Sequence, residues 1–314
     1  MFIKEEDEMS DAIIYREIKY KNKIQLMINK IFDNFVDKKI MEYNTILIKP
    51  NLMYYWDAST GETTDPLLVK CIINKIEEMF EHDVKIKIIE SDASAMKTKY
   101  VFDVLGYNKL TSPNVELYNL SKDECTRKEL NINNNKIKIR INNLLLENNY
   151  LINVPKIKIH RNPPILTSAL KNNFGLISTE YKFQYHNKLS EYILGINEIV
   201  KNDLIIVDGL VVLGKTPKRI GLTMATKNPI IADVISCKIC GINPYRDQIM
   251  SNFMAKKYDF TNIELNDPDN VLPGVINDFP KTNPKLEKLT WDVLLGLLDL
   301  YAKIVCDIKP PILD

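Results

Sequence analysis

The chain has 314 residues, of which 45% are hydrophobic and 26% are charged, and its formal net charge is +1. This composition is ordinary for a globular protein with a sizeable core, and such an even charge balance gives no support for nucleic-acid binding. No run approaches the ~20 apolar residues that a membrane-spanning helix needs, and the acidic amino terminus lacks the apolar segment of a signal peptide. We therefore expect a cytoplasmic protein that binds neither nucleic acid nor membrane.

The predicted elements in the first part of the chain alternate between short β-like runs and amphipathic helices. In order they are a strand at 12–18, a helix at 24–36, a strand at 45–51, a helix from Pro66 capped by Asp65, a strand at 84–92, a helix that starts at 99 and ends near Gly106, and a strand at 115–120. Alternation of this kind is typical of βαβ units and a mostly parallel sheet.

The second part of the chain continues this alternation after an added hairpin. It contains a hairpin with strands at 127–132 and 136–141, a strand at 152–160, helices at 167–175 and 189–200, a strand at 203–214, and a helix at 229–241. Beyond about 260 come Pro- and Asn-rich turns and an apolar helix at 291–305. We predict one α/β domain over 1–314, with a mostly parallel sheet flanked by helices in Rossmann-like layers, a β-hairpin excursion, and a C-terminal excursion at about 260–314.

Polar residues are concentrated at the carboxyl ends of four predicted strands. Side chains alternate faces along a strand, so one face of 152–160 changes from apolar to basic along Ile152, Val154, Lys156, Lys158 and His160. The other three strands end in Lys49 and Asn51, in Glu90, and in Asp208. A single lysine of this kind is more often a solvated strand end. Because ligands of open α/β sheets bind at the carboxyl ends of the strands, the four together predict one anion-binding pocket.

Four further candidates follow the basic strand. Lys171 and Asn172 lie in the helix predicted at 167–175, whose free amide groups near Thr167 or Ser168 could hold an anion. Clustered lysines repel one another, and a bound anion relieves that repulsion. His186 lies in a predicted helical stripe that begins at Lys182, and both a catalytic and a core role remain open for it. Gly175 is either a helix stop or a functional residue.

The cysteines and the common motifs narrow the choice of cofactor. Five cysteines are too few for a disulfide framework in a chain of this length. Cys237 and Cys240 form a lone C-x-x-C pair inside a predicted helix, so we expect two core cysteines and no iron–sulfur cluster. The nucleotide-binding patterns G-x-G-x-x-G and G-x-x-x-x-G-K-[ST] and the zinc-protease pattern H-E-x-x-H are all missing from the sequence.

A family resemblance adds to this interpretation. The ordered segments IKPNL, TTDP, IIESD, LGY, INVPKIKIH, LKNNFG, YHNKL, IVDG and NPIIADV resemble the family catalogued as domain of unknown function 362, from about residue 45 to 245. The resemblance implies that the family's motif positions are Lys49, Asn51, Asp65, Glu90, Lys156, Lys158, His160, Lys171, Asn172, His186, Asp208 and Asp233.

Three features depart from the family pattern. Asn228 replaces the usual Asp before the helix that starts with Pro229, the segment LGKTPKRIG replaces a glycine-rich stretch, and the ferredoxin-like cysteines of some relatives are missing. The Pro-Lys-x-Lys-x-His region is also similar in plan to the amino-terminal domain of nickel-pincer lactate racemases, a likeness that assigns no cofactor.

The leading hypothesis is an enzyme that acts on a small carboxylate or phosphate metabolite. Its predicted substrate-binding residues are Lys49, Asn51, Lys156, Lys158, Lys171 and Asn172. His160 or His186 acts as the general acid or base, and Glu90 or Asp208 orients it. The reaction class stays open between proton transfer, lyase- or isomerase-like chemistry and group transfer. One alternative is an enzyme in which the same histidines and carboxylates hold a divalent metal; another is a non-catalytic anion-binding or scaffold protein in a biosynthetic assembly.

Overall fold

The structure is a computed structural model that describes residues 10–18, 23–81, 83–94, 96–160, 165–247, 249–251 and 263–281. The predicted helix at 291–305 and most of the predicted C-terminal excursion lie outside these residues. His82, Cys306 and the side chain of His160 also lie outside the described part of the chain.

The strands form one large sheet and a separate hairpin. In chain order they are β1 (Ala12–Arg16), β2 (Thr45–Pro50), β3 (Lys85–Glu90), β4 (Val115–Asn119), β5 (Cys125–Ile132), β6 (Asn135–Asn142), β7 (Tyr150–Val154), β8 (Lys156–His160), β9 (Ile165–Thr167), β10 (Leu204–Leu213), β11 (Pro217–Thr226) and β12 (Leu265–Asn266). The main order of the sheet is β12-β1-β11-β10-β7-β2-β3-β4. Neighbours from β10 to β4 are parallel, whereas β11 is antiparallel to both β10 and β1.

The sheet forks at Pro155, between β7 and β8. The start of β10 pairs with β7 at Leu204 and Ile205, and its later part pairs with β8, where Asp208 lies opposite Lys156. β9 then adds to the other edge of β8 in the antiparallel sense. The fork places the two charged residues inside the sheet, at the point where the parallel strands end.

Seven described helices cover the two faces of the sheet. They are α1 (Ile24–Phe35), α2 (Pro66–Met79), α3 (Thr98–Val104), α4 (Ala169–Asn172), α5 (Leu189–Ile199), α6 (Pro229–Cys240) and α7 (Leu272–Asp278). The first three bury Ile28, Ile72 and Val101 in one core, and the last four contribute to the core on the opposite face. The predicted mostly parallel sheet flanked by helices is confirmed. None of the helices within the described residues is long and apolar enough to cross a membrane.

The predicted β-hairpin excursion is also confirmed. β5 and β6 pair in the antiparallel sense, and Asn133 and Asn134 connect them with φ angles of 49° and 63°. Asparagine tolerates this left-handed conformation better than most residues, and two such residues make the tight turn that suits a hairpin. The hairpin packs on α5, where a β-carbon at Gly195 would lie 2.7 Å from Ile137 Cδ1.

The helix predicted at 167–175 requires a correction. Thr167 ends β9, where it pairs with Lys158, and the helical part starts only after Ser168. It is a four-residue α-helix, α4, followed by a 3₁₀ turn at Asn173–Leu176. The pairing with β8 explains the late start, since the backbone of Thr167 is part of the sheet.

Candidate functional site

The carboxyl ends of β2 and β3 are joined by a buried ion pair. Lys49 Nζ lies 2.8 Å from Glu90 Oε2 and also donates a 2.7 Å hydrogen bond to the carbonyl of Pro50. The other carboxylate oxygen of Glu90 accepts the backbone N–H of Ser91 at 2.8 Å. Both charged side chains are almost fully buried, so each depends on the other for its charge partner.

A second buried ion pair lies at the fork of the sheet. Lys156 Nζ is 2.9 Å from Asp208 Oδ2, and both side chains have no exposed surface. Asp208 also accepts the backbone N–H of Asp65 at 2.7 Å, just before α2, and that of Leu210 at 2.9 Å. The Asp208 carboxylate therefore connects two strands to the start of α2.

The third buried lysine takes its partner from a loop. Lys158 Nζ donates to the backbone carbonyl of Glu62 at 2.6 Å and to its carboxylate at 3.1 Å. Burial lowers the pKa of Lys158; the Glu62 carboxylate opposes this shift, and the positive charges of Lys156 and Lys49 add to it. The three ammonium groups are therefore close enough to repel one another, and in this structure side-chain carboxylates supply the compensating charge.

A fourth buried lysine, Lys182, joins this group although the sequence did not single it out. Its Nζ donates to the hydroxyl of Ser91 and, at 3.2 Å, to the carbonyl of Gly175. Burial lowers its pKa to about 8, Glu90 opposes the shift, and Lys49 adds to it. We call Lys49, Lys156, Lys158 and Lys182 the lysine cluster.

The sequence did not identify Lys182 because an α-helical period of 3.6 residues was assumed for a segment that is a 3₁₀ helix. Residues 182–188 form a 3₁₀ helix, and the α-helix starts only at Leu189. With three residues per turn, Lys182 and Tyr185 share the buried face. His186 instead points to solvent and stacks on Phe183, with 4.9 Å between the ring centroids. The predicted stripe of Lys182 and His186 on one face is therefore wrong.

Gly175 belongs to the site because of how close it lies to the ion pair of β2 and β3. A β-carbon at this position would lie 3.0 Å from Lys49 Nζ and 3.3 Å from Glu90 Oε1. Its carbonyl also accepts hydrogen bonds from Ser91 and Lys182. Gly175 thus lies inside the 3₁₀ turn at Asn173–Leu176 and in contact with the lysine cluster.

The predicted residues Asn51 and Asn172 belong to a chain of five amides. Each side-chain NH₂ donates to the next oxygen: Asn51 to Asn172 at 2.9 Å, Asn172 to Asn153 at 2.7 Å, Asn153 to Asn173 at 3.0 Å, and Asn173 to Asn197 at 2.8 Å. Asn172 also donates to the carbonyl of Lys49 at 3.1 Å. Asn51 Oδ1, at the end of the chain, is buried and has no hydrogen-bond partner among the described residues.

The amide groups predicted to hold an anion at the helix start near Thr167 are already bound within the protein. Asp233, from α6, accepts the N–H of Ala169 at 2.6 Å and that of Leu170 at 3.4 Å. Burial raises the pKa of Asp233 to about 8. Lys171 is half-buried and donates to Thr167 Oγ1 at 3.2 Å. A side-chain carboxyl group therefore already occupies this helix start.

The residues that could hold a metal ion include the two candidate carboxylates and the cysteine pair of α6. Among the described residues, no three His, Cys, Asp or Glu side chains are grouped as metal ligands would be. The candidate ligands Glu90 and Asp208 each bind a lysine. Cys237 and Cys240 are buried in the core between α6 and the sheet, and burial raises the pKa of both thiols.

Comparison with known proteins identifies the family. No curated protein matches the chain. The structure is similar to that of the lactate racemase apoprotein from Thermoanaerobacterium thermosaccharolyticum, with 12% sequence identity and a TM-score of 0.43. That match covers 76% of this chain and 60% of the other, so this chain spans less than two thirds of that protein. The family model for the domain of unknown function DUF362 matches residues 46–238, which include all four lysines of the cluster, and the chain therefore belongs to the DUF362 family.

Proposed function

We propose that the protein is an enzyme that binds a small anionic metabolite on the lysine cluster and uses the cluster for acid/base chemistry. Lys49, Lys156 and Lys158 supply the positive charge, and Asn51, Asn172 and Lys171 are further contacts. As in the sequence analysis, His160, His186, Glu90 and Asp208 are the candidates for moving or orienting protons, and Lys182 joins them.

The burial of four ammonium groups at the carboxyl ends of the strands carries this proposal. Removing a charged group from water costs several kcal/mol, and well-packed apolar residues often replace a buried ion pair without loss of stability. Stability alone therefore gives no reason to keep four buried lysines. Perturbed titratable groups are concentrated at functional sites, and ligands of α/β sheets bind at this edge.

Lys182 supports the acid/base part of the proposal. With a pKa of about 8, roughly a tenth of its amino groups carry no proton at pH 7, and about half carry none at pH 8. An amine in that state accepts a proton efficiently, because general bases work best when their pKa is close to the working pH. We expect activity to rise as the pH increases toward about 8, since deprotonation of Lys182 generates the base.

The test of anion binding is a calorimetric titration with acetate, malonate, inorganic phosphate and pyrophosphate at low ionic strength. Lys158→Met removes the charge and keeps an apolar stem, so we expect it to weaken binding by at least about tenfold. Lys138→Met is the matched control, because Lys138 pairs with Glu129 on the exposed hairpin. Equal affinities for the wild type and Lys158→Met would remove the cluster from ligand binding.

A non-catalytic anion-binding protein is the second candidate. The observation that favours it is that Lys49, Lys156 and Lys158 each already have a carboxylate partner. Turnover separates the two candidates. In this test, small carboxylic acids are incubated with the protein in D₂O. The NMR signal of the proton on the α-carbon disappears only if the protein removes that proton and returns a deuteron. Metal analysis of tag-free protein, together with assays after chelation, tests the metal-dependent alternative.

A further inference from the structure

The three lysine–carboxylate pairs differ in how far the acidic side chain is exposed to solvent. Asp208 is fully buried and accepts two backbone amides besides Lys156. Glu90 is 3% exposed and accepts the amide of Ser91 besides Lys49. The Glu62 side chain is 16% exposed and reaches Lys158 from the loop between β2 and α2. Glu62 is therefore the most exposed of these three acidic side chains.

The backbone around Glu62 is held in place independently of its carboxylate. Gly61 has a φ of 75° and packs so closely on β10 that a β-carbon would lie 2.8 Å from the Val212 carbonyl oxygen. On the other side, Thr64 Oγ1 donates to the carbonyl of Val154 at 2.8 Å. The Glu62 carbonyl itself stays 2.6 Å from Lys158 Nζ. A movement of the Glu62 side chain therefore does not require the loop to change its position.

Rotation of the Glu62 side chain would leave the Lys158 ammonium group buried without its negative partner. Lys158 is 2% exposed and is repelled by Lys156 and Lys49. An uncompensated charge in such a place is costly, so the vacated position favours another anion. The vacated position has room for one carboxylate oxygen, which would accept a hydrogen bond from Lys158 Nζ at about the 3.1 Å that Glu62 Oε2 has now.

We infer that Glu62 is an internal ligand whose carboxylate occupies, on Lys158, the position that the carboxylate of the substrate takes. This inference rests on the proposed function and narrows the substrate class from anions in general to small carboxylates. When the substrate binds, its carboxylate replaces that of Glu62, and the Glu62 side chain moves into solvent. Glu62 thus competes with the substrate and supplies the negative charge beside Lys158 when no substrate is present.

Chemical rescue tests this inference. Glu62→Ala removes the internal carboxylate, and the thermal midpoint of unfolding is then measured with increasing sodium acetate at constant ionic strength. A ligand that binds only the folded state raises this midpoint. We expect acetate to raise the midpoint of Glu62→Ala more than that of the wild type. Acetamide, which has the same shape and no charge, should have no effect. Glu129→Ala, which breaks an exposed ion pair with Lys138, is the matched control and should respond as the wild type does.

The variants also separate the failure of this inference from the failure of the proposed function. The rescue should be lost in Glu62→Ala combined with Lys158→Met. If acetate stabilises the wild type and Glu62→Ala equally, and Lys158→Met removes the effect, the anion site stands and the role of Glu62 is refuted. If phosphate rescues Glu62→Ala better than acetate, the carboxylate class is wrong. If no anion stabilises any variant, both the inference and the anion site are refuted.

Discussion

Gly175 lies so close to Lys49 that a β-carbon at position 175 would come within 3.0 Å of both Lys49 Cε and Nζ. Lys49 cannot simply move aside, because its ammonium group is bound to Glu90 and to the carbonyl of Pro50 inside the core. The glycine thus fixes the distance between the 173–176 turn and the ion pair of β2 and β3.

The first prediction follows from this contact. Gly175→Ala should lower the free energy of unfolding by about 1–3 kcal/mol, the usual cost of overpacking a dense site, and should also weaken anion binding, because Lys49 and Glu90 are displaced. Urea unfolding and calorimetric titration measure the two effects. Unchanged stability together with unchanged binding would show that the contact relaxes freely.

The second prediction concerns the fully buried pair of Lys156 and Asp208. Lys156→Met leaves the Asp208 carboxylate buried without its cation, so we expect a loss of about 3–5 kcal/mol in the free energy of unfolding. Adding Asp208→Asn should restore part of this loss, since the amide oxygen still accepts a backbone N–H and carries no charge. Urea unfolding of both single variants and the double variant measures the coupling. A double variant less stable than either single variant would contradict the prediction.

The third prediction concerns the pH dependence that Lys182 contributes. Its pKa is about 8 in the folded protein and 10.5 without the fold. Because the unfolded chain binds this proton more tightly, the free energy of unfolding rises with pH between these two values. Lys182→Met removes the contribution, so the variant should be more stable than the wild type at neutral pH, by roughly 3 kcal/mol at most. The difference should shrink toward about pH 10. A constant difference between the two proteins over this range would rule out a titrating Lys182.

The fourth prediction concerns Asp233, whose pKa is raised by burial from 3.8 to about 8. The folded protein holds this proton more tightly than the unfolded chain, so stability falls as the pH rises between these values. Asp233→Asn keeps an acceptor for the amides of Ala169 and Leu170 but does not titrate. The free energy of unfolding of Asp233→Asn, relative to that of the wild type, should increase as the pH rises from 3.8 to about 8, by several kcal/mol at most. Unfolding free energies measured across this range test the sign; a difference independent of pH would contradict it.

The mostly parallel sheet and the charged strand ends could be predicted from local patterns. Lys49, Glu90, Lys156 and Lys158 follow apolar runs that alternate with helices, and the topology of such runs brings their carboxyl ends together. β11 was missed for a local reason. It starts with Pro217, Lys218 and Arg219. Gly221 in its middle has a φ of 69° and lies so close to Glu17 that a β-carbon would come within 2.1 Å of the Glu17 carbonyl oxygen. These residues hide the alternation that would indicate a strand.

Glu62 and Lys182 could not be predicted by the same reasoning. Glu62 lies in a loop, and its partner Lys158 is 96 positions away in the sequence. A loop residue carries no periodic signal that would assign it a face or a neighbour. Lys182 was hidden because the change from 3₁₀ to α-helix at Leu189 shifts the buried face within one continuous amphipathic run.

The chain of five asparagines has a direction, and that direction is set at the end far from Asn51. Asn197 Nδ2 donates to the backbone carbonyls of Leu170 and Ile193, which can only accept, so the amide of Asn197 cannot be turned around. Each of the other amides must then follow the same orientation, up to the first. The NH₂ group of Asn51 is consequently used within the chain, and its Oδ1 is the atom that remains available to a ligand. A group that binds to this oxygen has to be a hydrogen-bond donor, such as a hydroxyl or an ammonium.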